Sequence, residues 1–115
     1  MTNPALEAFG RLLMTYVRDK AIEESDKLID GRMKGETAQK AAKLLSDCTE
    51  HERTIIKAIV PEIVDTALHH LLWTIERTES VSLSLDGGPE LRELSDGLTG
   101  DFHIWKERYS RQRSF

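Results

Sequence analysis

The sequence predicts an all-α fold, an antiparallel bundle of about four main helices. Apolar residues recur at helical spacing over most of the 115 residues, and helix start and stop signals separate the periodic runs. Aromatic content is only 6%, and a single short stretch alternates with period two, which is too little for a sandwich or barrel. A chain of this size forms one domain, residues 1–115, and buries roughly 60 to 70% of its unfolded surface without needing a staple.

Asn3-Pro4 opens the first helix: Asn caps, and proline costs nothing at a position whose N–H has no partner. Leu6, Phe9, Leu13, Tyr16 and Val17 then form its apolar stripe, and the periodicity predicts one helix over 4–30. Gly31 is its terminator, and Gly35 keeps the connection loose. Residues 36–47 read as a second helix with an apolar stripe of mostly small residues, Ala38, Ala41, Ala42, Leu44 and Leu45, that would let neighbours pack closely. "TEHE" at 49–52 is a capping box for the most hydrophobic run, 50–78, within which Pro61 either kinks one helix or starts another. "SVSLSL" at 80–85 reads as extended, with no pairing strand evident in the chain, and "DGGP" as a turn. Across 80–100 an irregular segment carries a short helix, 89–95, before a last helix over 101–113 closes the bundle.

Function classes are narrowed by what the chain lacks. One cysteine, Cys48, rules out an internal disulfide framework and a cysteine zinc cluster. It sits near the C-terminal end of the second helix, where the dipole disfavours a thiolate. No nucleophile elbow and no phosphate-binding glycine loop occur. No run approaches the ~20 apolar residues that cross a bilayer, and no leader pattern opens the chain, so a cytoplasmic location is expected. Net charge is −4, and residues 101–115 carry a local +2, so residues 1–100 carry −6. That acidic body disfavours nucleic acid, whose phosphates need a basic surface, and suits a basic protein partner.

"ALHHLLWTIE" at 67–76 holds the residues that invite a site. On a helical wheel Ile56, Ile59, Val60, Ile63, Val64, Ala67, Leu68, Leu71, Leu72 and Ile75 form one broad apolar arc. Glu62, Asp65, His69, Trp73 and Glu76 cluster opposite. His69 and His70 lie about 100° apart and do not face each other, so they are two positions rather than one metal site. A tryptophan on a polar, acidic face suggests a partner-binding patch made of those five residues. No cofactor is expected, and an enzyme is the less favoured class. The rival reading is a metal-dependent bundle enzyme using Asp65 and His69, which share a face at i and i+4, with His51, Glu52, Asp101 or His103 completing the donor set. A third reading is self-association through "SVSLSL" or through the aromatic stripe Phe102, Trp105 and Tyr109 of the last helix.

"DTALHHLLWTIE" and "ELSDGLTGDFHIWKERYS" together resemble the C-terminal half of small bacterial helical proteins of no assigned activity. In those a His-x-x-Leu-Trp helix precedes a Ser-Asp-Gly-Leu-x-Gly turn and a final tryptophan. The resemblance covers roughly residues 65–110 and implies a bacterial, cytoplasmic helical protein with no catalytic residues to carry over. By size and class such proteins are similar to immunity proteins, which block a partner toxin. The expectation is therefore a non-enzymatic protein-binding module, with an immunity-type inhibitor as its most specific form.

Overall fold

The computed structural model describes residues 3–114, and its architecture is all-α. Asn3 caps as expected: its side chain accepts from the N–H groups of Ala5 at 3.0 Å and Leu6 at 3.3 Å. Helical backbone then runs unbroken from Pro4 to Ile29, in three parts. These are α1 (Pro4–Leu12), a π-helical stretch (Leu13–Arg18) and α2 (Asp19–Ile29).

That π-helical stretch overturns part of the predicted stripe. A wider turn inserts one residue into the helical repeat. After Leu13 and Met14 the next inward position is thus Arg18 rather than Val17. Tyr16 and Val17 remain 67% and 43% exposed, while Arg18 is completely buried. α2 ends where Gly31 allowed it to end. The Gly31 N–H bonds Leu28 and the Arg32 N–H bonds Lys27, with Gly31 at φ +72°, a double-bonded left-handed termination.

α3 (Glu36–Leu44) is shorter than predicted and does not pack into the bundle. It buries no residue and leaves Leu44 83% exposed, leaning on the end of α2. Its alanines are too small to anchor it, so Arg53 does so instead, donating to the carbonyls of both Ile29 and Leu45.

α4 (Glu50–Arg77) opens on the capping box formed by Thr49 and Glu52 and runs unbroken through Pro61. Proline removes the N–H that Lys57 O would have accepted. Arg113 Nη2, from the C-terminal tail, fills that vacancy at 2.6 Å.

Residues 80–97 fold back on themselves. Ser84 and Glu90 form an isolated antiparallel bridge, and Leu91 N–H donates to Leu83 O at 2.7 Å. "SVSLSL" therefore does find a partner within the chain, and Leu83 packs against the core. α5 (Leu91–Leu94) follows, with Arg92 donating to the carbonyls of Ile75 and Thr78 at the end of α4.

α6 (Leu98–Tyr109) begins three residues before the predicted start, because Glu76 Oε1 accepts from Leu98 N–H at 2.6 Å and supplies the missing cap. It packs against both α1 and α4. The indole of Trp105 lies on Gly10, and Phe9 meets Trp105 edge-on with ring centroids 5.7 Å apart.

Two apolar clusters result. The larger joins Leu6, Leu13 and Met14 to Leu68, Leu72 and Ile75, with Leu91, Leu98, Phe102 and Trp105 above them. The smaller holds Ile22, Ile29 and Val60. Arg18 and Asp65 fall between the two, since Arg18 lies between Met14 and Ile22 and Asp65 between Val60 and Leu68.

Among the described residues no helix is long and apolar enough to cross a membrane.

Candidate interaction surface

The five residues expected to form a partner-binding patch divide into two groups. Asp65 is buried and committed to the fold. Its Oδ1 accepts from Arg18 Nε at 2.7 Å, and its Oδ2 accepts from Arg18 Nη2 and Lys106 Nζ, each at 3.2 Å. The rest of the Arg18 fork holds the tail: Nη1 donates to Ser110 Oγ at 2.7 Å and Nη2 to Arg113 O at 3.0 Å. Ser110 in turn donates to Asp19 Oδ1 at 2.6 Å. A buried charge is tolerated only when paired in this way. Glu76 caps α6, as described above. Both carboxylates were misplaced on a solvent-facing patch because the sequence shows their polarity but not the elements that cover them.

Glu62, His69 and Trp73 remain accessible to differing degrees. Glu62 is exposed and His69 half-buried, and both line a shallow cleft of about 270 Å³ with Thr66, Phe102, His103 and Lys106. Trp73 is 44% exposed, with the Arg77 guanidinium 4.8 Å above its ring. His69 and His70 meet edge-to-face at 5.4 Å. Among the described residues no three or more His, Cys, Asp or Glu side chains are grouped to hold a metal ion. The Asp65/His69 pair required by the metal-enzyme reading is already spent on the Arg18 and Lys106 contacts at its aspartate end.

An accessible apolar feature lies elsewhere on α4. The predicted arc spans about 220° at about 100° per residue, more than one neighbouring layer can cover. Val60, Leu68, Leu72 and Ile75 are buried, as the arc implied. Ile55, Ile59, Ile63 and Leu71 are not, with Ile63 60% exposed. These four and Ala67 follow one another at intervals of four residues, so they form a continuous row.

Glu62 stands at its edge, about 20° round the helix from Ile55, and inside that edge the row carries no charge. From Ile55 to Thr74 the row is accompanied by Thr66, His70 and Thr74, all exposed. The Thr66 and Thr74 hydroxyls donate back to the carbonyls of Glu62 and His70, at 2.8 and 2.7 Å, so both present methyl groups outward. The first charged residues in this sector are Glu52 at one end and Arg77 at the other.

Leu12, Tyr16 and Val17 extend the face. Arg18 meets Asp65, and Ile22 packs with Val60, so Tyr16 and Val17 lie level with the middle of α4. They lie on the same side of the helix pair. Leu12 is about 200° round its helix from Gly10, and Ile63 and Ala67 about 200° from Asp65. Gly10 and Asp65 are both residues that meet α6. α6 thus covers one side of the α1/α2–α4 pair, and the opposite side is bare. The sequence contained this in the excess width of the arc, and in Tyr16 and Val17 only once the π-helical stretch is known.

Against known proteins, the chain matches no family model, no curated protein and no solved structure. The resemblance of residues 65–110 to small bacterial helical proteins gains no support from these comparisons.

Proposed function

We propose that the protein is a non-enzymatic protein-interaction module whose contact surface is the bare side of α4. One observation carries the reading: in a chain with 31% charged residues, a helix face from Ile55 to Thr74 bears no charge and a row of large aliphatic side chains. Such patches on soluble proteins are characteristic of binding surfaces. Trp73, stacked on Arg77, and Glu62 stand at its rim, where an amphipathic aromatic and a charge would frame an apolar contact. The two remaining members of the expected patch, Asp65 and Glu76, hold the surface in shape from behind.

The test is a photo-reactive amino acid placed at position 63 in cells expressing the protein, with Glu107 on α6 as the exposed control. A protein adduct formed from position 63 and absent from position 107 is the expected result. No adduct at position 63, or equal labelling from both positions, overturns the assignment.

A further inference from the structure

Resting on that reading, we infer that the occupant of the bare face is a second copy of this chain, docked through the same face in an antiparallel, isologous dimer. The first argument is charge. On a wheel of about 100° per residue, Glu52 and Arg77 fall within about 20° of each other and inside the bare sector. A two-fold axis crossing α4 midway between Ile63 and Thr66 places Glu52 of each copy beside Arg77 of the other. The uncharged row lies between these two pairs. A parallel arrangement would set Glu52 against Glu52 and Arg77 against Arg77, so the sequence of this one face selects the antiparallel register.

Area is the second argument. Leu12, Tyr16, Val17, Ile55, Ile59, Ile63 and Leu71 are all exposed. With Thr66, Ala67, His70 and Thr74 they make one exposed face of eleven side chains on each copy, and a standard-size stable interface takes about 800 Å² from each partner. A monomer usually shows no patch beyond roughly 300–600 Å².

Architecture is the third. The α1/α2–α4 pair is a two-helix layer covered on one side by α6, and α3 does not supply the missing layer. Two such layers placed face to face make a four-helix core, with Ala67 giving the aliphatic row room to interdigitate near the axis. This dimer uses neither "SVSLSL" nor the aromatic stripe of α6, the two surfaces the sequence suggested for self-association.

Sedimentation equilibrium on the purified protein tests it, at concentrations from about 1 to 100 μM, the range in which standard-size interfaces form. The expected mass is twice 13.1 kDa at the upper end. Ile63→Glu should return the mass to one chain with its helical circular dichroism retained, since that side chain takes no part in the monomer core. Arg77→Glu should weaken the dimer at least tenfold, because it sets two acidic side chains together at each end of the interface; Glu52 is left in place, since its carboxylate also closes the capping box of α4. A wild-type mass of 13.1 kDa at every concentration overturns the dimer. So does a dimer indifferent to Ile63→Glu or to Arg77→Glu. A single-chain mass together with an adduct of another protein at position 63 would refute the second copy while leaving the interaction module standing. Absence of any adduct would remove both.

Discussion

Gly10→Ala is the sharpest test of how α6 is seated. On an exposed helix the exchange would stabilise by about 1 kcal/mol, because alanine is the better helix former. Here the added Cβ would stand 2.4 Å from Trp105 Cγ and 2.5 Å from its Cδ1 and Cδ2. Contacts that short do not occur, so the indole or the helix must move. Trp105 is 1% exposed, and its Nε1 donates to Glu7 Oε2 at 3.0 Å, which pins the ring against α1. Overpacking a core costs about 1–3 kcal/mol, and losing a hydrogen bond to a carboxylate about 1.5–3 kcal/mol. Subtracting the helix gain leaves a net loss of about 1.5–5 kcal/mol. For a domain of this size that lowers the melting temperature by roughly 6–20 °C, at about 4 °C per kcal/mol. The assay is thermal unfolding followed by circular dichroism at fixed protein concentration, because self-association would shift the midpoint. Gly100→Ala is the control: it too lies in a helix, and nothing stands within 4 Å of its added Cβ. If Gly10→Ala raises the midpoint as Gly100→Ala should, the close approach of α1 to Trp105 is wrong.

Three further outcomes follow from the buried polar contacts. Arg18→Met should cost about 3–5 kcal/mol in urea unfolding, because Asp65 stays buried with only Lys106 beside it. Arg18→Met with Asp65→Leu should recover much of that loss, and failure to recover would show that the tail contacts of Arg18 dominate. Burial raises the pKa of Glu7, but hydrogen bonds from Tyr109, Trp105 and Arg108 overcome it and hold the carboxyl below its ordinary 4.5. Its contribution to stability is therefore complete above about pH 4.5 and drains away as pH falls through the lowered value. Glu7→Gln should flatten the acid limb of a stability–pH curve and leave its slope near neutrality unchanged. Arg113→Met removes the paired contacts to Asp26 at 2.7 and 2.8 Å and leaves Lys57 O without the donor that Pro61 denied it. A loss of about 1–2 kcal/mol is expected in chemical denaturation, and none would mean that the tail is not clamped as described.

Local signals were legible wherever one short motif decides the geometry. Asn3-Pro4, Gly31 and the Thr49–Glu52 box all act within a few residues, and each sits where its chemistry places it. Legibility failed where a distant partner decides. The start of α6 depends on the Glu76 carboxylate reaching Leu98, twenty-two residues away. The donor that replaces the missing N–H of Pro61 at Lys57 O is Arg113, which reaches back fifty-six residues. Local rules of proline and capping contain neither fact.

The candidate site shows the same division in a form that bears on function. Polarity led to Glu62, Asp65, His69, Trp73 and Glu76 being grouped as one surface, but polarity does not distinguish a carboxylate that meets solvent from one that meets a buried guanidinium. Asp65 is the second kind, and only the π-helical shift that turns Arg18 inward makes it so. That same shift turns Tyr16 and Val17 outward, level with the middle of α4. One inserted residue thus creates both the buried ion pair separating the two apolar clusters and the apolar breadth of the bare face. A core that accepted Val17 at this level would bury an aliphatic side chain with no desolvation cost and leave less to bind. The chain instead spends a buried arginine to keep its tail and Asp65 in place, and keeps its aliphatic surface outside, where a second α4 can cover it.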